Sequence, residues 1–262
     1  MKKTIRRIAP AMLVLVALTT LSFMAKDGVT LRLAPQQGKT YTVTSKANMM
    51  IMMEVQGQTM NMSQNMETRQ IFTANETNET QSVFETQIEA IKMSISQMGM
   101  KMEYDSEHPE KTSPMLAGQT QEIEKYLKKP TNITYDALGH AVDSIELEMS
   151  QLSAAIVELP EEELTVGSTW TFNKKQEVSG TEMNTKMTYT VTAISKKSVD
   201  VDIAGNVEST EVSGTYSGTA SINPQTGIVI QSSTKSNISM TVNEQGMSIP
   251  MTIVGNTTVE VK

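Results

Sequence analysis

The strongest constraint on this chain is a two-residue alternation between Tyr41 and Phe72. Tyr41, Val43, Ala47, Met49, Ile51, Met53 and Val55 hold the odd positions, and Met60, Met62, Met66 and Phe72 hold the even ones. Strand side chains point alternately to opposite faces, so each run presents a single apolar row. Gln56-Gly57-Gln58 divides the runs, and a glycine-containing break between two alternating segments predicts a hairpin turn. The row is built largely of methionine, where strands ordinarily carry β-branched residues. Met50 and Met52 add apolar bulk on the opposite face of the first arm.

The same period recurs along the chain. Gly28–Leu33 is a short alternating run, and a third strand is expected at about Gln81–Ile95. There the apolar phase changes from even (Phe84, Ile88) to odd (Ile91, Met93, Ile95), which one extra residue, a β-bulge near Glu89-Ala90, would accommodate. Gln97-Met98-Gly99 turns the chain into Met100, Met102 and Tyr104. Residues 105–118 are Pro-rich and charged and read as a loop. A short helix is expected near 119–128, stopped by Pro130, and then a hairpin turning at Asp136–Gly139. Ile145, Met149, Leu152 and Ile156 make one helical stripe over Ser144–Val157. At Gly167 the pattern restarts: Gly167-Ser168-Thr169-Trp170-Thr171-Phe172 repeats Gly38-Lys39-Thr40-Tyr41-Thr42-Val43. Further alternating runs follow at 183–193, 199–207, 212–222, 228–242 and 247–253.

The expected fold is therefore mainly β. It comprises two antiparallel β meanders of long, curved strands, half-barrel or barrel-like, with one or two short helices packed between or inside them. The divisions are a signal peptide at 1–25, a first meander at 26–143, a connecting helix at 144–160 and a second meander at 161–262.

Composition narrows the function. A net charge of −7 argues against nucleic acid as a partner, because such surfaces are basic. The absence of cysteine excludes disulfides, thiol nucleophiles, thiolate metal sites and an acylated export signal. Lys2, Lys3, Arg6 and Arg7 precede the apolar run Ala11–Leu18, the layout of a secretory signal, with cleavage expected after Ser22 or Ala25. The apolar run falls short of the roughly 20 residues a membrane helix needs, so no membrane span is expected after cleavage. The mature chain is expected to be periplasmic or secreted.

Several segments carry a resemblance. Met49-Met50-Ile51-Met52-Met53, Gly57-Gln58-Thr59-Met60-Asn61-Met62, Lys92-Met93-Ser94 and Met100-Lys101-Met102-Glu103-Tyr104-Asp105-Ser106 resemble an uncharacterised family of Met-rich secreted proteins of Gram-negative bacteria. Asn132-Ile133-Thr134-Tyr135-Asp136 and Val166-Gly167-Ser168-Thr169-Trp170 fit it too. That family has no assigned activity and lends no catalytic residue. Its general shape is similar to the periplasmic lipoprotein-carrier type, a half-barrel sheet over helices whose concave face holds acyl chains. This implies a lipid-like ligand by analogy only.

Read from the residues, Met49, Ile51, Met53, Met60, Met62, Met66, Met93, Met100 and Met102 are the candidate ligand wall. Methionine is flexible and polarizable and suits a surface that adapts to varied apolar ligands, yet the same properties make it a filler of ordinary cores. Met98, Met100 and Met102 also resemble a thioether copper site, although alternate residues of a strand stand wide for one ion. His108 and His140 lie in no recognisable local motif, and no positioned acid, base or nucleophile emerges, so no enzyme and no cofactor are expected. The reading is a non-enzymatic exported protein binding an apolar molecule or a partner protein. Its alternatives are a structural or surface-interaction protein with a closed Met-rich core and a periplasmic Cu(I)-binding protein.

Overall fold

The computed structural model describes residues 28–55, 57–142, 155–178, 181–244 and 247–262. The signal segment and most of the connecting helix, 143–154, lie outside the described residues; Ala155 forms a turn, and Ile156 and Val157 are not helical.

Among the described residues eleven strands and one α-helix follow in order: β1 Thr40–Val55, β2 Gln58–Thr77, β3 Gln81–Gln97, β4 Met100–Asp105, α1 Ala117–Glu124, β5 Thr131–Asp136, β6 Thr169–Val178, β7 Thr181–Ile194, β8 Val199–Glu208, β9 Val212–Ile222, β10 Val229–Glu244 and β11 Met247–Val261. All eleven join one antiparallel sheet in the order β4-β3-β2-β1-β11-β10-β9-β8-β7-β6, with β5 also on β3. The sheet is open, with β4 and β5 at one edge and β6 at the other. The two meanders meet where β1 pairs with β11, Val43 opposite Val261 through to Met53 opposite Met251.

The phase change in β3 has the expected cause. Arg69 faces Ala90 and Gln70 faces Ile88, so Glu89 is the extra residue of a bulge. Phe84, Ile88, Ile91 and Met93 all stay buried as a result. The bulged carboxylate bonds Arg69 Nε at 2.5 Å.

The restart at Gly167 is visible in the backbone. Gly38 N–H donates to the Ala74 carbonyl, and Ala74 N–H donates to Lys39 O. Gly167 N–H donates to the Val191 carbonyl, and Val191 N–H donates to Ser168 O. Both glycines have φ near +80° (77° and 89°), a region only glycine adopts cheaply. Tyr41 then faces Phe72 as Trp170 faces Tyr189. The halves diverge at their third neighbour. In the second half β9 pairs along all of β8, whereas in the first half the same side of β3 is shared by β4 at one end and β5 at the other. Residues 106–130, including α1, form the excursion between them.

One face of the sheet carries the core. Tyr41, Val43, Phe72, Ala74, Phe84, Ile133, Tyr189, Val191, Val199, Val201 and Ile222 are buried there with Leu31, Leu33, Leu159 and Leu164 from the connecting segments. Each fully buried aliphatic or aromatic side chain contributes about 1.5–3 kcal/mol. The 28–36 segment crosses this end: Leu33 N–H bonds Ala137 O in the first meander, and Ala34 N–H bonds Thr226 O in the second. A smaller cluster of Ile88, Ile91, Met93, Tyr104 and Leu116 lies under the excursion, with Ile123, Leu127, Ile95 and Met102 against it.

Candidate functional site

The core fills only one end of the long strands. Moving along β1 on the same face, Ser45 and Ala47 come next, in line with Thr68 and Met66 on β2, Val259 and Thr257 on β11, and Ser232 and Thr234 on β10. This is a largely small and polar band. Beyond it the face turns apolar again. Met62, Ile51, Ile253 and Ile238 stand in register across β2-β1-β11-β10, and the next row is Met60, Met53, Met251 and Met240. The rows end against Val207 and Val212, both buried, on β8 and β9. Of the eight residues in the two rows only Ile51 is buried; the other seven are half-buried. Strands lie about 4.8 Å apart, so the Met60–Val212 row spans about 19 Å over five strands. Across β2, β1, β11 and β10 this shelf is separated from the core by the band, while on β7 to β9 Ile203, Met187 and Tyr216 link the two on the same face.

All nine candidate wall residues fall on the core-bearing face. Met49, Ile51 and Met53 are on β1, and Met60, Met62 and Met66 lie opposite Met53, Ile51 and Ala47 on β2. Met93 faces Met66, Met102 faces Ile95, and Met100 faces Gln97. They do not form one surface. Met93, 9% exposed, is buried under the excursion with Met102 packed beside it, so these two act as filler. Met100, 53% exposed, stands in solvent at the sheet edge. Met49, Ile51, Met53, Met60 and Met62 line the shelf or its near border, and Met66 lies in the polar band. Sequence reasoning omitted Ile238, Met240, Met251 and Ile253 from the wall. Their alternation was readable, but the docking of the β10–β11 hairpin beside β1 is a long-range pairing that no local pattern announces.

Met98 sits in the turn before β4 with a φ of 50°, and it is exposed; Met100 and Met102 follow on one face of β4. Among the described residues no group of three His, Asp or Glu side chains is placed to hold a metal ion. Also among them, no helix is long and apolar enough to cross a membrane.

The opposite face is largely polar. Met50 faces Val254 there across β1 and β11, both well exposed, and Met52, on the same face, is half-buried. Met50 and Val254 form part of a groove of about 570 Å³ with Asn48, Asn65, Asn256, Asn237 and Lys235 around them.

Charge is concentrated away from the shelf. Arg69 bonds both Glu89 and Glu107, and Lys92 reaches Glu107 at 3.1 Å and Asp105 at 3.4 Å. Hydrogen bonds from Arg69 and Lys92 hold the Glu107 carboxyl below its ordinary range. At the far end, Asp136 caps its own turn, accepting from Leu138 N–H and His140 N–H, and pairs with His140 Nδ1 at 2.7 Å. His140 Nε2 lies 3.4 Å from Glu158. The Asp136 hydrogen bond raises the His140 pKa. Desolvation pushes Asp136 upward, but the hydrogen bonds from His140 and Leu138 outweigh it and leave its pKa lowered. Trp170 stacks on Tyr189 at 5.0 Å and donates its indole N–H to Glu158 O; burial raises Tyr189 to about 12. His140 and Glu158 share a pocket of about 520 Å³ with Leu159, Leu164, Trp170 and Phe172.

Residues 143–229 match a family of unknown function (DUF6263). That segment covers the connecting region through β9 and stops short of the β10–β11 half of the shelf. No curated protein matches the chain. A structure of lipovitellin, concerned with its lipid–protein interactions, superposes with a TM-score of 0.52 at 10% identity, over 87% of this chain and 25% of that one. The chain thus spans about a quarter of that structure's length, and the likeness shows a shared sheet fold. A domain from Vibrio parahaemolyticus assigned to outer membrane lipoprotein sorting aligns over 81% of this chain and 83% of its own at 8% identity, with a TM-score of 0.17, too loose for any structural argument.

Proposed function

We propose that this chain is an exported, non-enzymatic protein that binds an apolar, lipid-like molecule on the shelf formed by β2, β1, β11 and β10. The observation that carries the reading is the pair of in-register rows, Met62-Ile51-Ile253-Ile238 and Met60-Met53-Met251-Met240, left largely half-buried beyond a small and polar band on these four strands. Apolar surface left half-buried beyond the core on the same face supports a separate occupant. Thioethers suit it because their unbranched chains re-pack around ligands of differing shape. Each methylene buried there is worth about 0.8 kcal/mol before ordering costs. The lipid–protein interactions named for lipovitellin agree with this ligand class, and the basic-then-apolar N-terminus supports export. A purely structural role for the methionines has its own support at Met93 and Met102, which fill the cluster under α1.

Two measurements test the reading. Native mass spectrometry of protein purified from its host is expected to show a co-purified lipid; surviving copper would point to the thioether metal site instead. Met53→Lys and Met62→Lys are expected to abolish binding of dodecanol while leaving the chain folded, since both side chains border solvent. If either variant unfolds, the shelf is a closed core, because burying an unpaired charge is very costly.

A further inference from the structure

The groove around Met50 and Val254 lies on the face opposite the shelf, and its chemistry differs. Asn65, Asn48, Asn256 and Lys235 stand in one row across β2, β1, β11 and β10; Met50, Val254 and Asn237 stand in the next. Met50 is 52% exposed and Val254 44%, so the groove floor is apolar and open to water. Its sides are carboxamides and hydroxyls. Lys235 is exposed, and among the described residues it has no ion-pair partner. Across β9, β10, β11 and β1, the three rows centred on Lys235 hold Thr219, Ser233, Thr258 and Lys46, then Ser217, Asn256 and Asn48, then Thr215, Asn237, Val254 and Met50. No carboxylate stands among them; one strand further out the first row meets Glu67 on β2 and Asp202 on β8. The other lysine, Lys46, is paired with Glu67 at 3.5 Å. In a chain of net charge −7, an uncompensated ammonium ringed by neutral donors is a local anion site beside an oily floor.

We infer that this outer groove binds a single-chain anionic amphiphile, its head on Lys235 and the Asn48, Asn256 and Asn237 amides, its alkyl chain over Met50 and Val254. Charge complementarity selects the head: an ammonium would meet Lys235 as a like charge, and a bare anion would leave the apolar floor in water. The head is a carboxylate or a phosphate monoester, both able to accept several N–H bonds at once. The site is independent of the inner shelf, which carries no charge.

Calorimetric titration of the full chain tests it, with dodecanoate, dodecyl phosphate, dodecyltrimethylammonium, inorganic phosphate and dodecanol as probes at low salt. Dodecanoate or dodecyl phosphate is expected to bind, with the stronger of the two identifying the head, and binding weakens as salt rises. Lys235→Gln is expected to weaken the anionic probe tenfold or more, Met50→Asn by several-fold, and Lys235→Arg by little. Dodecanol, the probe of the inner shelf, is expected to be unaffected by Lys235→Gln. Neither Lys235 nor Met50 takes part in a side-chain hydrogen bond among the described residues, so the three variants are expected to fold. The inference is overturned if Lys235→Gln binds dodecanoate as the parent does, if dodecyltrimethylammonium binds as tightly, or if inorganic phosphate alone binds as well as the alkyl phosphate. Any of these with dodecanol binding intact sinks the outer site and spares the shelf; loss of dodecanol binding in the parent chain sinks the shelf and spares the outer site.

Discussion

Single residues here carry opposite fates for the same side chain. Met98, Met115, Met100 and Met50 are 71%, 68%, 53% and 52% exposed, while Met93 is 9% exposed. Thioether oxidation follows access, so among the methionines of described exposure limited peroxide is expected to convert those four to sulfoxide first and Met93 last, read by peptide mass spectrometry. A second residue-scale expectation concerns His140. Its pKa is raised by Asp136, so its contribution is fully present below its unfolded value and is lost as pH rises through the folded one. Asp136 is lowered, so its contribution is present above its unfolded value and is lost as pH falls through the folded one. Both favour the window between about pH 4 and pH 6.5. The side chains are 46% and 37% exposed, which holds the pair to about 1 kcal/mol or less after solvent screening. The difference in melting temperature between the parent chain and His140→Asn is expected to be largest in that window and to shrink on either side of it.

At the scale of elements, the bulge at Glu89 sets which face β3 buries. Deleting Glu89 would put Ile91 and Met93 on the opposite face from Phe84 and Ile88, since a one-residue slip inverts every side chain beyond it. The deletion is expected to abolish a cooperative unfolding transition. Glu89→Ala, which keeps the residue and loses only a partly exposed ion pair, is expected to cost under about 1 kcal/mol. Circular dichroism on denaturant titration separates the two. This element was legible in the sequence because a phase change in a period-two pattern has few physical causes. The turn at Asp136–Gly139 was legible for a similar reason, from an acid and a glycine at fixed offsets. What escaped local reading was pairing between distant segments. The division of one strand position between β4 and β5, and the docking of β10–β11 beside β1, rest on contacts made across most of the chain.

Across the whole molecule, an open sheet carries its core at one end and apolar surface at the other, joined through the β1–β11 pair that unites both meanders. The methionine-rich strand face was readable as alternation. Its separation from the core was not, because Ser45, Thr68, Ser232 and Thr234 come into line only when four strands are in register. The central claim is that the inner shelf, and not the core or the edge, holds an apolar ligand. Photolabelling tests it most directly, using a neutral alkyl alcohol carrying a diazirine, followed by residue-level mapping of the adducts. The account expects adducts on Met53, Met60, Met240 and Met251, lost when unlabelled dodecanol competes. Adducts confined to the edge residues Met98 and Met100, or labelling that dodecanol does not displace, would contradict it.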